Sequence, residues 1–288
     1  MHSHDGSRRA LGIALALVAG FAAVEAVVGL LSGSLALLAD AAHMLSDSLA
    51  LGLALFAAWL ALRPPTPDRS YGWRRAEVLA ALANAVVLVA LGLWIIWEAV
   101  GRLDDPPEVL GGWVLAAGVA GLGVNVAAYR VLHGAGTGLN VRAAMLHVLA
   151  DLLSSAGVVV AGILVLATGW HQADPLAGLL IGVLVILSTV GVLRETIGVL
   201  LEGAPAGMDA REVGGAITGT AGVVGVHDLH LWTITSGFPA LSAHVLVEAG
   251  ADCHGIRREL EVRLRDDFGL THTTLQVEHA PGLIKLAR

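Results

Sequence analysis

Cysteine is almost missing from this sequence. Cys253 is the only one among 288 residues, so no disulfide forms within the chain and no zinc site of several thiolates is available. Charge is scarce too, with 14% Asp, Glu, Lys and Arg, and no arginines gather into the basic stripe that nucleic acid requires, so no nucleic-acid partner is expected. There is no low-complexity tail. There is also no His-Glu-x-x-His run or comparable general base, which a membrane zinc protease would need. What fills the chain instead is apolar residue, 56% of the total, with a mean hydropathy of +0.76. Lipid is the expected solvent for most of it.

Roughly 20 predominantly apolar residues carry a helix across a hydrocarbon core of about 30 Å. Six stretches reach that length: Ala10 to Leu31, Leu35 to Leu62, Ala76 to Val100, Leu110 to Leu132, Val141 to Thr168 and Pro175 to Leu201. The first is long for the apolar part of a signal peptide, holds Glu25 and is followed after a short turn by the next run, so it is read as a span. Alternate loops differ in arginine. Arg8, Arg9, Arg63, Arg69, Arg74, Arg75, Arg130 and Arg142 fall on one side and Arg102 on the other, which predicts that both termini are cytoplasmic; the cell (inner) membrane is the expected location. The net charge of −7 does not oppose this, because only loop cations count.

After Glu202 the composition turns mixed and charged, and Gly203, Pro205 and Gly207 break the helix. The expected division is a cytoplasmic tail at 1–9, a six-helix membrane domain at 10–202 and a water-soluble domain at 203–288. In the last, periodicity predicts a helix near Met208 to Thr220, strands at Val226 to Thr235 and Ala240 to Glu248, a helix at His254 to Phe268 and a strand at Thr273 to His279. An αββαβ order implies a small α+β sandwich.

Ionisable residues within a span cost roughly 2.5–3.5 kcal/mol each on insertion scales, so each calls for a reason. They concentrate in two places. The second span holds His43 and Asp47 and the fifth holds His147 and Asp151, each a His followed four residues later by an Asp. Residues i and i+4 share a helix face, with Cβ atoms about 5–6 Å apart. Two such faces supply two imidazole nitrogens and two carboxylates, a tetrahedral set suited to zinc rather than to magnesium or calcium. One pair alone reads equally as a hydrogen-bonded clamp between helices; its repetition three spans later favours an ion. Asp40 shares the face of His43 but lies nearer the helix start, where an entry or exit charge is the alternative to a ligand.

The pairs also mark a short internal repeat, AHMLSDSLA against LHVLADLLS. With three spans per half, the second and fifth helices run in opposite directions, the arrangement of inverted-repeat transporters with a midplane site. Among the other polar residues in spans, Asn84 and Asn125 are expected to make interhelical hydrogen bonds. Glu25 reads as either a proton carrier or a structural partner.

Four segments carry a resemblance: SGSLALLADAAHMLSD from Ser32, SYGWRRAEVLAA from Ser70, LHVLAD from Leu146 and HDLHLW from His227. In order, spacing and span position they resemble the cation diffusion facilitators, and the zinc-transporting branch among them. The resemblance covers nearly the whole chain. It implies a homodimer in the bilayer, a transport site made by His43, Asp47, His147 and Asp151, and a cytoplasmic ferredoxin-like domain that binds metal. Relatives with Asp at the first His position accept a wider set of metals, so His43 implies zinc. In the soluble domain the resemblance points to His227, His244, His254 and Glu278 as ligands, with His230 and His279 as further candidates. Solvent-facing histidines on a polar sheet are the alternative there. Strand alternation puts His227 and His230 on opposite faces unless a bulge intervenes.

The chain departs from the pattern at three places. Arg69 and Trp73 stand where some relatives carry histidines of a further metal site, so that site is not expected. The His-rich loop between the fourth and fifth spans is reduced to His133 and a Gly-rich turn, and the N-terminal tail keeps only His2 and His4.

Together these readings predict a zinc/proton antiporter and not an enzyme. It would export zinc from the cytoplasm by alternating access, with zinc as substrate and as regulatory ligand. Ligands must lose protons to bind metal, and His, with a reference pKa of about 6.5, exchanges them near neutral pH. A zinc-sensing receptor is the rival reading, and no effector motif follows Glu202 to support it.

Overall fold

The computed structural model describes residues 2–133 and 139–280, with side chains described at 12–133, 145 and 148–280. Six long helices come first: α1 (His2–Ser32), α2 (Leu35–Ala61), α3 (Ala76–Asp104), α4 (Gly111–His133), α5 (Leu139–Thr168) and α6 (Ala173–Leu200). Each contains a stretch long and apolar enough to cross a membrane. A helix satisfies its own backbone groups, which is what lipid demands. The remaining elements are α7 (Ala210–Thr218), β1 (Val223–Thr235), β2 (Phe238–Val247), α8 (Cys253–Phe268) and β3 (His272–His279). The fold is thus a six-span helical membrane protein with a C-terminal ferredoxin-like α+β domain. By contacts the chain forms two compact units, Met1–Phe56 with Ala83–Leu193, and Ala57–Leu82 with Arg194–Arg288.

In the first unit the helices meet through small residues, because lipid tails offer no hydrophobic drive between helices and close van der Waals packing must supply it. A Cβ on Gly162 of α5 would lie 2.8 Å from the backbone nitrogen of Leu115 on α4. On α3, a Cβ on Gly92 would lie 2.7 Å from Ile186 and 3.1 Å from the carbonyl oxygen of Gly182, both on α6. The Leu115 contact is backbone and cannot swing away. Gly162→Ala is therefore expected to push α4 and α5 apart at a cost of about 1–3 kcal/mol. A lower thermal unfolding midpoint of the purified protein checks this; an unchanged midpoint contradicts it.

The start of α2 is clamped by other helices. Asp174, at the first turn of α6, accepts from the Ser34 hydroxyl and, at 2.7 Å, from the Leu35 backbone N–H, and so caps α2 from outside its own segment. Arg102 of α3 donates to the Gly33 carbonyl at 3.0 Å and to Glu98 at 2.8 Å. The turn between α1 and α2 needs a left-handed residue, and Gly33 supplies it with φ +73°. These contacts hold α2 in place two to three turns before His43.

In the second unit the sheet order is β1-β2-β3, with β1 and β2 antiparallel and β2 and β3 parallel. Val213 and Ile217 of α7 and Leu260 and Leu264 of α8 pack on Leu241, Val245 and Val247 of β2, so both helices cover one face of the sheet. The opposite face, carrying Ser242 and His244, stays open. Asp209 caps α7 and Asp252 caps α8. The backbone N–H groups of Gly255 and His254 hold the Asp252 carboxyl below the usual carboxylate range.

The segment between α2 and α3 belongs to this unit and contacts the sheet. The Tyr71 hydroxyl lies 3.5 Å from His272 Nε2, Thr235 donates to Glu77 at 2.9 Å, and the Arg74 guanidinium lies 4.4 Å from the centre of the Phe238 ring. Arg69 stacks on Trp73 at 3.4 Å.

Candidate metal centres

Helix periodicity brings His43 and Asp47 to one face of α2, and α5 sets Asp151 opposite them. His43 Nδ1 lies 3.4 Å from Asp47 Oδ2, and His43 Nε2 lies 3.6 Å from Asp151 Oδ1. All three offer ligand atoms within 4.8 Å of one another. Zinc bonds of about 2.0–2.2 Å in a tetrahedron separate neighbouring donor atoms by about 3.3–3.6 Å. One imidazole gives one nitrogen to one ion, so only one of the two distances is between donors of a single shell, and the other carboxylate has to close on the nitrogen that binds. Asp151 is 1% exposed, whereas His43 and Asp47 are 16% and 22% exposed. His147 lies on α5 one turn before Asp151, and its side chain is outside the described residues.

A cavity of about 390 Å³ opens beside His43 and Asp47, with Asn84, Ser154, Ser188 and Thr189 as its polar lining. A divalent ion with about six waters needs roughly 200 Å³ at about 30 Å³ per water, so the cavity has room for a hydrated ion.

Asp40 does not join the trio. It is fully buried and accepts from the hydroxyls of Ser154 at 2.6 Å and Ser155 at 3.3 Å. Asn125 on α4 donates to Ser155 at 3.1 Å, the interhelical bond expected of it, while Asn84 lines the cavity. The two serines escape a reading of the sequence because hydroxyls are common in membrane helices. Their signal is position, three and four residues after Asp151 on the same helix. The buried Asp174 escapes for a related reason, since an acid at a helix start resembles a surface cap.

The second group of ligand atoms lies on the open sheet face. His227, His244 and Glu278 offer atoms within 4.8 Å of one another. His244 Nδ1 is 3.4 Å from Glu278 Oε1, and the His227 and His244 rings stack with centroids 5.0 Å apart. The register explains their meeting. His227 pairs with His244 in β2, and Glu278 pairs with Leu246, two residues along on the same face.

His230 comes to that face as well. It pairs with Ser242, so three steps on β1 oppose two on β2; the extra residue is a bulge, with Asp228 at φ 49°. Simple alternation, which separates His227 from His230, fails here for that reason. His254 stands apart from the trio, in the first turn of α8, where its backbone N–H is held by Asp252. His279 turns toward α8, 3.1 Å from the Ala251 carbonyl and 3.5 Å from Cys253 Sγ. His133 is exposed against Tyr129, and the side chains of His2 and His4 lie outside the described residues.

Comparisons with known proteins agree in extent and order. A family model described as the cation efflux transmembrane domain matches residues 11–201, and one described as the cation efflux protein cytoplasmic domain matches residues 205–280. The chain is 41% identical over 287 residues to a Bacillus velezensis protein named cadmium, cobalt and zinc/H(+)-K(+) antiporter, covering 97% of this chain and 91% of that one. It is 40% identical over 290 residues to the zinc transporter ZitB of Escherichia coli, covering 97% and 92%. To the metal cation efflux system protein CzcD of Cupriavidus metallidurans it is 41% identical over 285 residues, covering 97% and 90%.

Proposed function

The chain belongs to the cation efflux family, the cation diffusion facilitators that its motifs resemble, and from that premise we propose that it is a homodimeric zinc/proton antiporter of the inner membrane. Residues 10–202 form the transport domain and residues 203–288 a cytoplasmic metal-binding domain, with both termini in the cytoplasm. The observation that carries the reading is the trio His43, Asp47 and Asp151, whose ligand atoms lie within 4.8 Å of one another inside apolar helices.

His147 completes a His2Asp2 shell, and the two carboxylates neutralise the ion. Facing the cytoplasm, the site takes zinc and releases protons from its ligands. Facing outward into a more acidic medium, it regains protons and lets zinc go. No covalent bond of a substrate changes, and the chain acts as a transporter and not as an enzyme. Uptake of zinc-65 into proteoliposomes tests this directly. Flux should follow an imposed pH gradient and collapse when the gradient is discharged; flux indifferent to the gradient would overturn proton coupling.

The cytoplasmic trio of His227, His244 and Glu278 binds zinc as a regulatory ligand, with His254 as a further donor supplied by movement of α8. The same strands that carry His244 and Glu278 begin at Phe238 and His272, which touch the segment leading into α3. A zinc ion that tightens the two strands therefore acts on the base of a membrane helix. Coupled sites typically exchange 1–3 kcal/mol. His244→Ala with Glu278→Ala is expected to lower transport rate or apparent zinc affinity by about fivefold while proton-driven flux persists. Titration calorimetry of the full chain should lose one zinc per protomer; an unchanged zinc count would remove the regulatory site.

A further inference from the structure

Two carboxylates in the membrane helices stay outside the metal trio, and the structure treats them differently. Glu25 on α1 is fully buried, and neither of its oxygens has a hydrogen-bond partner among the described residues. Asp40 on α2 is as deeply buried but well served, with Ser154 donating to one oxygen and Ser155 to the other. Ser155 already accepts from Asn125, so its own proton is committed to Asp40. One donor on each oxygen is the pattern that an ionised carboxylate takes.

Asp40 is the charged group that acts on Glu25, and Asp151 and His43 act on Asp40 in turn. One turn earlier on α1, Phe21 meets Gly121 of α4, which in turn lies beside Ser155 of α5, and neither Gly121 nor Ser155 titrates. A negative charge on Glu25, buried and without a donor among the described residues, is far more costly than a bound proton.

We propose that Glu25 carries one exchangeable proton through the transport cycle, separate from the protons that the metal ligands exchange. This rests on the antiport reading and adds a residue to it. With the trio empty, Glu25 holds its proton. When zinc loads, its two positive charges favour the ionised form; the O–H bond of Glu25 breaks, its electron pair stays on the carboxylate, and the proton passes to water entering the open side. On the opposite side zinc leaves and Glu25 regains a proton from water.

The test is Glu25→Gln, which keeps the shape and holds no releasable proton. Zinc is titrated into the full-length protein in weakly buffered nanodiscs, and the protons released per zinc are counted with a pH dye. The variant should bind zinc and release about one proton fewer per zinc at the membrane site than the wild type. Glu25→Asp should restore the count. An unchanged count in Glu25→Gln overturns the proposal. Loss of zinc binding in Glu25→Gln alone would make Glu25 part of the metal shell, and loss in both variants would make it a packing residue; either overturns it as well. Wild-type vesicles that move zinc without any proton movement would instead sink the antiport reading.

Discussion

Asp151→Ala is expected to reduce proton-driven zinc uptake in proteoliposomes by more than about 100-fold, since even outer-shell changes around a metal cost about 10–100-fold. The residue is 1% exposed and 3.6 Å from His43 Nε2. Without it, zinc at the trio would hold one compensating charge in place of two, and an uncompensated charge away from water is strongly disfavoured. Asp151→Asn should fail almost as badly, because it keeps the shape and loses the charge. Size-exclusion chromatography should still show a dimer for both. Flux in Asp151→Ala within about tenfold of wild type would remove Asp151 from the transport site, as zinc would then be moving by other ligands.

His43→Asp is expected to change which ions pass rather than whether they pass. Imidazole favours zinc and its neighbours, while carboxylate suits harder or larger ions. Replacing one of two nitrogens by oxygen should lower the preference for zinc over cadmium and manganese by roughly tenfold. Competition against zinc-65 uptake reads this as a shift in the concentration of each metal that halves the flux. An unchanged order and spacing of those concentrations would mean that His43 does not set selectivity.

Much of the membrane architecture is legible in the sequence because lipid enforces one rule along the whole chain. The stretch Leu35 to Leu62 and the helix Leu35–Ala61 coincide nearly to the residue, since the apolar run and the helix end together at the water boundary. At α1 they part: the helix begins at His2, well before the apolar run at Ala10, because a helix can continue into polar residues that hydropathy does not register. The soluble strands and helices are recovered within about two residues at most ends, as hydrophobic alternation and turn glycines allow.

The candidate sites are less legible, and the reasons are local. The spacing of His43 with Asp47 is readable because a helix has a fixed period. The meeting of His227 with His230 on one sheet face is not, because it depends on an extra residue at Asp228 taking a left-handed conformation that an aspartate tolerates without advertising it. The asymmetry between Glu25 and Asp40 is likewise invisible in one dimension. It follows from which helix face brings Ser154 and Ser155 to Asp40, and leaves Glu25 unserved.

The most direct test of the four-ligand membrane site is zinc X-ray absorption on the full-length dimer carrying His244→Ala and Glu278→Ala, so that the cytoplasmic trio no longer contributes. Four nitrogen and oxygen neighbours at about 2.0 Å, with the scattering signature of two imidazoles, are expected, and the signal should vanish when Asp151→Ala is added. A shell of about six oxygens, a sulfur neighbour from Cys253, or a signal that survives Asp151→Ala would contradict a His2Asp2 site in the membrane.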